Sequence, residues 1–252
     1  NGDGTGILSG TPLNEHVGSH GLILSVTDGT ETVTEPIIIA VENTNDAPIF
    51  TSVAVTAATE DVNYIYSVTA DDVDAGDELV ITASTIPEWL QLVDNGDGTG
   101  ELSGTPENAD VGDHGVVLRV TDGSEAFEVQ SFIVTVENTN DAPVFTSEAI
   151  TEATEDGEYS YTVIAEDVDI GDEIVLSTVL LPTWLSFVDN GDGIGELSGT
   201  PENADVGDHQ VELLVTDIDG ATGTQNFTVT VENTNDAPFF TSEEDTTATE
   251  DE

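Results

Sequence analysis

Basic residues are almost missing from this chain of 252 residues. It has one Lys or Arg, Arg119, against 53 Asp and Glu, which gives a formal net charge of −52. The long-range electrostatic field is therefore negative, and nucleic acids and anionic membrane surfaces should be repelled. Since no run of about 18 apolar residues occurs either, we expect no nucleic-acid partner and no direct membrane insertion of this region.

Cysteine is also missing, which excludes disulfides and thiolate metal sites. Small domains in this chain therefore need another source of stabilisation. Hydrophobic residues still make up 37% of the sequence, which is enough to bury cores and argues against a disordered acidic tail.

Two explanations remain open for so many carboxylates. They bind divalent cations, or they keep the protein soluble in concentrated salt, where the Debye length falls to about 3 Å and surface repulsion is screened. A few bound ions would cancel only part of a charge of −52. We therefore expect both effects, and a marine or halophilic source.

A segment of one domain length recurs along the chain. Asn-Asp-Ala-Pro begins at Asn45, Asn140 and Asn235, a spacing of 95 residues, and the acidic stretch 94–114 returns with one change at 189–209. A catalytic site is normally built once, so this repetition indicates stacked domains rather than an enzyme.

The polar segments that end in Asn-Asp-Ala-Pro predict the repeat boundaries, because proline ends strand pairing. The resulting division is a partial repeat at 1–48, complete repeats at 49–143 and 144–238, and the start of another repeat at 239–252. The sequence begins inside a repeated motif, so we expect the natural chain to continue upstream.

Each complete repeat shows the alternation of half-buried antiparallel strands. Tyr66, Val68 and Ala70 alternate with a second set of side chains that would face the opposite side of a sheet. Gly96 and Gly98 can supply the positive φ of a tight hairpin. About seven short strands in each repeat predict an all-β fold of tandem immunoglobulin-like sandwiches.

Several motifs in a fixed order resemble a known repeat family. Leu181-Pro-Thr-Trp-Leu185 is followed by Leu-Ser-Gly-Thr-Pro, then Val-Gly-Asp-His and Val-Thr-Asp. This order resembles the dystroglycan-type cadherin-like repeat, also called the putative Ig domain, in both complete repeats and in the C-terminal half of the partial one. The resemblance implies a linear array of cadherin-like sandwiches that is extracellular and non-enzymatic.

The resemblance extends to the acidic positions that bind calcium between cadherin domains. Cadherins use an early Glu, an Asn- and Asp-rich linker, and an Asp-x-Asp pair with a later Asp of the next domain. The set so implied for a central junction is Glu60, Asp61, Asn138, Asn140, Asp141, Asp167, Asp169 and Asp217. A first junction would use Asn43, Asn45, Asp46, Asp72, Asp74 and Asp122, and a last one Glu155, Asp156, Asn233, Asn235 and Asp236.

The linker is one residue shorter than in cadherins and a mid-domain acidic motif is missing, so we expect fewer ions per junction or a site within one domain. The chemistry is reasonable for Ca2+, which takes six to eight oxygen ligands. Carboxylates gathered from two domains repel each other until a cation is bound, so binding would stiffen the hinge between them.

Other motifs have plainer explanations. The stretch 94–98, Asp-Asn-Gly-Asp-Gly, fails the EF-hand register and predicts a hairpin turn. Trp89 and Trp184 could stack on sugar rings, but their position after proline and beside Leu favours core packing. Single histidines one domain apart cannot share a metal. Ser-Gly-Thr-Pro lacks a partner base for a nucleophile, so we interpret this motif as a turn closing a hairpin.

The sequence thus predicts a calcium-stabilised structural or adhesive region, either the stalk or extender of a large bacterial surface adhesin or the body of a surface fibre. Its partners would be neighbouring repeats of the same chain and, in a fibre, identical chains. The alternative is a calcium-dependent module that binds cell-surface polysaccharide or copies of itself, with or without an attached enzyme. Paired carboxylates could imitate a glycosidase site, but nothing singles out two of them.

Overall fold

The computed structural model describes residues 4–248 and Glu250. Within them the chain forms strands and three short 3-10 helices, Asn14–His16, Asn108–Asp110 and Asn203–Asp205, and it has no α-helix. No helix in this described part is long and apolar enough to cross a membrane. The all-β prediction is confirmed.

The chain divides into two compact units, residues 1–139 and 140–252. The first unit contains a two-stranded sheet and a sandwich of two four-stranded sheets, and the second unit contains one such sandwich. We call these the first sandwich (β3 to β10) and the second sandwich (β11 to β18). The boundaries at 49–143 and 144–238 stay predictions.

The strands of the first unit are β1 (Gly18–Thr27), β2 (Thr32–Val41), β3 (Ile49–Phe50), β4 (Ala57–Thr59), β5 (Tyr64–Asp71), β6 (Val80–Thr85), β7 (Gln91–Asp94), β8 (Thr99–Gly104), β9 (Gly112–Thr121) and β10 (Phe127–Glu137). Those of the second unit are β11 (Val144–Phe145), β12 (Glu152–Thr154), β13 (Tyr159–Glu166), β14 (Val175–Leu180), β15 (Leu185–Asp189), β16 (Ile194–Gly199), β17 (Gly207–Thr216) and β18 (Thr222–Glu232). The sheet orders are β1-β2, β3-β5-β8-β7, β4-β10-β9-β6, β11-β13-β16-β15 and β12-β18-β17-β14.

Each sandwich has eight strands, one more than the prediction of about seven, because its first segment is shared between two sheets. β3 pairs antiparallel with β5, whereas β4 pairs in parallel with the last strand, β10. The second sandwich repeats this with β11 on β13 and β12 on β18. The two layers of a sandwich lie about 10 Å apart, so the chain must leave strand geometry to cross between them.

Alternate side chains of facing strands fill each core. Tyr66 and Val68 of β5 are 2% and 0% exposed, whereas Ile65 between them is 50% exposed. Leu118 of β9 and Leu102 of β8 complete the same buried cluster. The predicted alternation is therefore confirmed, and it decides which face of each sheet points inward.

Both tryptophans pack against the cores. Trp89 is partly buried and makes edge-on contacts with Tyr64 and His114, at ring-centroid distances of 5.8 and 5.9 Å. Trp184 makes the equivalent contacts with Tyr159 and His209. This arrangement agrees with core packing, because each ring contacts two aromatic side chains of its own sandwich.

The sheet of β1 and β2 has no covering layer in the described structure. Its strands pair antiparallel over ten residue pairs, Gly18 with Val41 through Thr27 with Thr32. Large apolar side chains remain exposed on it, among them Leu24 at 48% and Val26 at 65%, whereas their counterparts Leu118 and Val120 in the first sandwich are 0% exposed. The same surface that is buried in a complete sandwich is therefore open here.

The predicted hairpin at 94–98 is confirmed, since β7 and β8 pair antiparallel on either side of it. Gly98 has a φ of +80°, and its carbonyl oxygen accepts a hydrogen bond from the Ala70 N–H at 2.8 Å. A Cβ at this position would lie 2.8 Å from the Ala70 carbonyl oxygen. Only glycine fits both the left-handed backbone and this close approach.

The interpretation of Ser-Gly-Thr-Pro as a hairpin turn was wrong. Ser103 and Gly104 end β8, and the chain then crosses to β9 in the other sheet through the 3-10 helix Asn108–Asp110. The glycine is needed for packing, because a Cβ there would overlap the carbonyl oxygen of Trp89 and lie 2.9 Å from its carbonyl carbon.

Substituting this glycine should destabilise one sandwich selectively. We expect Gly104→Ala to lower the free energy of unfolding of the first sandwich by about 1–3 kcal/mol, the usual cost of overpacking. Gly115→Ala on β9 is the matched control, because its Cβ would meet no atom within 4 Å. Denaturant unfolding followed by tryptophan fluorescence measures both, and equal effects of the two variants would contradict the assignment.

Alkaline pH should destabilise both sandwiches. Burial raises the pKa of Tyr64, and likewise that of Tyr159, from 10.0 to about 12, and each phenol donates a hydrogen bond to a backbone carbonyl at 2.7 Å. Since the folded pKa is the higher one, this stability is fully present below pH 10 and is lost as the pH rises through about 12.

The test compares unfolding free energies of the wild type and of the double variant Tyr64→Phe, Tyr159→Phe across this pH range. The variant should lose less stability with rising pH. A phenolate absorbance titration in which Tyr64 and Tyr159 ionise near pH 10 would refute the prediction.

Candidate metal centres

Three carboxylates converge at one end of each sandwich. In the first, ligand oxygens of Asp72, Asp77 and Asp122 all lie within 4.8 Å of one another. Asp72 and Asp77 belong to the loop between β5 and β6, and Asp122 directly follows β9. Asp167, Asp172 and Asp217 form the same cluster in the second sandwich. We call these the first and second carboxylate clusters.

The Asp-x-Asp spacing folds the loop on itself. The Asp74 N–H donates a hydrogen bond to Asp72 Oδ1 at 2.9 Å, and the Asp169 N–H donates to Asp167 Oδ1 at 2.9 Å. Such Asx turns are a common conformation for aspartate in loops. Gly76 then adopts a φ of +98°, which turns the chain back after the Asp-x-Asp pair.

The segment that precedes each sandwich is hydrogen-bonded to the same loops. In the first unit, Asn45 Nδ2 donates to Asp122 Oδ2 at 2.9 Å, and the Asp46 N–H donates to Asp74 Oδ2 at 2.7 Å. Both contacts recur in the second unit, from Asn140 to Asp217 at 2.9 Å and from Asp141 to Asp169 at 2.8 Å. The Asn-Asp-Ala-Pro motif is thus the part of the chain that contacts the carboxylate loops.

Several buried carboxylate oxygens in these loops lack a hydrogen-bond donor. Asp74 is 5% exposed, and its Oδ1 has no partner; the same holds for the buried Oδ2 atoms of Asp72, Asp167 and Asp172. A buried charged oxygen without a donor is costly. Hard divalent cations such as Ca2+ prefer ligand sets made only of oxygen atoms. These carboxylates therefore fit a calcium ion.

Hydrogen bonds and burial shift the pKa values of the cluster carboxylates in opposite directions. The hydrogen bond from Asn45 holds the pKa of Asp122 below its usual value, and Asn140 does the same for Asp217. Burial raises the pKa of Asp77, with a further rise caused by the charges of Asp72, Asp122 and Asp74. Asp172 is affected in the same way by burial and by its acidic neighbours. Each cluster therefore combines one carboxylate whose pKa is lowered with one whose pKa is raised.

The early glutamates lie at the opposite end of each sandwich from its carboxylate cluster. Glu60 is 2% exposed and follows β4, and its Oε2 accepts a hydrogen bond from the Thr139 N–H at 3.1 Å. Glu155, 3% exposed, accepts from the Thr234 N–H at 2.9 Å. Ligand oxygens of Glu155, Asp156 and Asp236 lie within 4.8 Å of one another.

The structure brings together only part of each predicted ligand set. Asn43, Asn138 and Asn233 are exposed, and no hydrogen bond within the described residues ties their side chains to a carboxylate cluster. The central set is divided between the units, with Glu60, Asp61 and Asn138 in the first and Asn140, Asp141, Asp167, Asp169 and Asp217 in the second. Each part of the central set lies within its own unit. The binding of calcium by both parts together stays a prediction.

Asp77 and Asp172 were missed by the sequence reasoning. Their signal is the Gly-Asp dipeptide that follows each Asp-x-Asp pair, at Gly76-Asp77 and Gly171-Asp172. Both glycines have positive φ, +98° and +97°, so the same backbone turn returns a third carboxylate towards the pair. Recurrence of this dipeptide in both repeats could have identified the residue.

The comparisons with known proteins agree with this architecture. The sequence model of the Putative Ig domain family matches residues 47–137 and 142–232. The chain belongs to the Putative Ig domain family. Tandem domains of this kind indicate an adhesive or structural region, are usually extracellular and are typically non-enzymatic. A search of curated protein sequences found no match.

Solved cadherin structures share the fold. PcdhgB3 EC1-4 is similar at a TM-score of 0.62 and 18% identity, over 89% of this chain and 60% of that one. The extracellular cadherin domains 1-5 of protocadherin gamma B2 reach a TM-score of 0.56 at 21% identity, over 88% and 47% of the two chains. The Putative Ig domains of this chain are thus cadherin-like in fold.

An endo-fucoidan hydrolase of glycoside hydrolase family 107 also matches, at 26% identity over 90% of this chain and 35% of its own. Its TM-score is 0.38, which is too low to support an argument about function. The chain spans only 35% to 60% of the length of these three proteins.

Removing one asparagine should shift the pKa of one aspartate. In Asn140→Ala, we expect the pKa of Asp217 to rise towards its ordinary value, because its principal hydrogen bond is lost. Asp122 keeps Asn45 and serves as a reference in the same molecule. The measurement is an NMR titration of the labelled carboxyl groups.

Asn235→Ala is the matched control, because Asn235 donates to the Asp236 backbone carbonyl at 3.1 Å and to no carboxylate among the described residues. An unchanged Asp217 pKa in Asn140→Ala, or an equal rise in the control, would show that this hydrogen bond does not order the cluster.

Proposed function

We propose that this chain is a region of calcium-stabilised structural repeats that serves as the stalk or extender of a large bacterial surface adhesin or as the body of a surface fibre. One observation carries the proposal. Each sandwich has the same carboxylate cluster, with buried oxygens that lack hydrogen-bond donors, and each cluster's loops are hydrogen-bonded to the preceding linker.

The residues that would hold an ion in the first sandwich are Asp72, Asp74, Asp77 and Asp122. A bound Ca2+ supplies positive charge and joins oxygen ligands that otherwise repel each other. Asn45 and Asp46 are bonded to Asp122 and Asp74, so ordering these carboxylates also orders the linker. Asp167, Asp169, Asp172 and Asp217 would act in the same way on Asn140 and Asp141.

The central linker is the place where stiffening would matter most. Thr139 bonds to Glu60 of the first sandwich, and the next residue, Asn140, bonds to Asp217 of the second. A single peptide bond thus connects a contact to one sandwich with a contact to the other. We propose that Glu60, Asp61 and Asn138 join the second carboxylate cluster, Asn140 and Asp141 in one calcium-dependent junction.

The repetition of similar domains favours a function that depends on the length of the array rather than on catalysis. Each added copy extends the reach of the chain by one domain, and neighbouring repeats of the same chain are then the main partners, with identical chains in a fibre. Carboxylates outside the clusters would maintain solubility at high ionic strength, where their repulsion is screened.

Calcium should stabilise the chain, and two carboxylates of the first cluster should be required. In concentrated sodium chloride with EDTA and then with millimolar calcium, we expect a stability gain of about 2.7 kcal/mol when calcium reaches 100 times its dissociation constant. The double variant Asp72→Asn, Asp77→Asn should lose most of this gain in the first sandwich. Thermal or denaturant unfolding followed by fluorescence measures it.

Glu88→Gln with Glu101→Gln is the charge-matched control, since both side chains are exposed on the first sandwich and outside the cluster. It should keep the calcium response. If calcium has no effect while sodium chloride alone stabilises the protein, the carboxylates serve solubility in salt and the calcium junction is refuted.

A further inference from the structure

An Asn-Gly pair lies in the hairpin after β7 of the first sandwich and in the hairpin after β15 of the second. These pairs are Asn95-Gly96 and Asn190-Gly191; a third, at residues 1–2, lies outside the described residues. Asn-Gly is chemically labile, because glycine has no Cβ to hinder attack of its backbone nitrogen on the asparagine side chain. Both pairs lie in an identical stretch, Asp-Asn-Gly-Asp-Gly, so their structural surroundings must decide any difference in reactivity.

The asparagine of the first hairpin is held by Thr99. Asn95 Nδ2 donates a hydrogen bond to Thr99 Oγ1 at 2.9 Å, and this hydroxyl in turn donates to Asp97 Oδ1 at 2.6 Å. The Thr99 N–H also donates to Asp97 Oδ1, at 3.1 Å. The side-chain amide of Asn95 must therefore break a hydrogen bond before its carbonyl carbon can turn towards the Gly96 nitrogen.

The second hairpin has Ile194 in place of Thr99, the one difference between the stretches 94–114 and 189–209. Isoleucine has no hydroxyl, and the exposed side chain of Asn190 makes no hydrogen bond to another described residue. The backbone of the turn changes as well, since Asp192 adopts a φ of +51° and the Ile194 N–H donates to the Gly191 carbonyl oxygen at 3.0 Å. The contact that restrains the first asparagine is thus missing from the second hairpin.

The attacking nitrogen is hydrogen-bonded to a carboxylate in both hairpins. The Gly191 N–H donates to Asp189 Oδ1 at 2.9 Å, whereas the Gly96 N–H donates to Asp94 Oδ1 at 3.2 Å. A carboxylate that accepts this N–H can take up its proton while the nitrogen attacks. The shorter contact belongs to the second hairpin, so the state of the nucleophile and that of the amide both favour reaction there.

We propose that Asn190 is a site of spontaneous deamidation, whereas Asn95 is protected by Thr99. The Gly191 nitrogen forms a bond to Asn190 Cγ while the bond between Cγ and Nδ2 breaks. The proton of the Gly191 N–H passes through Asp189 Oδ1 to the departing amine, which leaves as ammonia. One water molecule then opens the succinimide ring at either carbonyl carbon, which gives aspartate or isoaspartate at position 190.

The product changes the second sandwich only. It adds a carboxylate next to Asp189, which lines a cavity of about 630 Å³ together with Asp167 and Asp172 of the second carboxylate cluster. Isoaspartate also adds a methylene group to the backbone of a turn that has little room, because a Cβ on Gly193 would overlap the Ala165 carbonyl oxygen. This chemistry goes beyond the proposed calcium junction, since it needs water and no metal ion.

The test follows the full folded chain during a long incubation in concentrated salt with excess EDTA. Cleavage after glutamate releases the fragments 89–101 and 174–196, each with a single asparagine, and mass spectrometry detects the replacement of the amide by a carboxylate. Isomerisation at neighbouring Asp-Gly pairs leaves the mass unchanged and does not interfere. We expect Asn190 to convert roughly three to ten times faster than Asn95, the rate equivalent of one ordinary hydrogen bond.

Exchange of the one differing residue provides matched variants. Thr99→Ile should raise the rate at Asn95 towards that of Asn190, and Ile194→Thr should lower the rate at Asn190, with the unaltered hairpin as the reference each time. In denaturant the two asparagines should convert at equal rates, because their flanking residues are identical. Tryptophan fluorescence shows whether each variant is folded, and if one variant does not fold, the other decides.

Equal rates at the two asparagines of the folded chain would overturn the inference, as would a difference that the exchanges do not alter. The same holds if Asn190 stays unmodified in the folded chain over a period in which the denatured chain is converted. Because excess EDTA is present throughout, the result is independent of the calcium experiment, and failure of either proposal leaves the other in place.

Discussion

The parallel hydrogen bonds between the first and last strands are the constraint on which the rest of each sandwich depends. They close the second sheet, because β4 pairs only with β10 and β12 only with β18 in the described sheets. They also place Glu60 beside the outgoing segment and Ser52 beside Gln130. The candidate junction therefore starts from this closure.

The second constraint is the shortage of positive charge. Arg119 lies over the ring of Phe127, 3.9 Å from its centroid, and it is the only Lys or Arg in the chain. The carboxylate clusters therefore have no Lys or Arg with which to pair. Hydrogen bonds from Asn45 and Asn140 satisfy one oxygen each. The oxygens left without hydrogen-bond donors are suitable ligands for a divalent cation.

Repetition allows each structural conclusion to be checked within one molecule. The second sandwich has another residue at several positions, such as Leu214 in place of Arg119 and Gln210 in place of Gly115. It nevertheless keeps the parallel closure, the tyrosine-to-glutamine hydrogen bond, the carboxylate cluster and the linker contacts. Features that recur despite these changes belong to the repeat, and they are the ones that the proposed functions use.

The sequence by itself determined the all-β class, the tandem repetition, the buried alternation of Tyr66 and Val68 and the hairpin at 94–98, because these depend on period-two patterning and on local turn chemistry. It also indicated Asp72 and Asp74 through the Asp-x-Asp spacing. Only the tertiary structure decided that Asp77 joins Asp72 and Asp122, that Gly104 makes room for Trp89, and that Ser52 meets Gln130. These contacts join residues far apart in the chain, and their partners are selected by sheet pairing and layer packing rather than by local pattern.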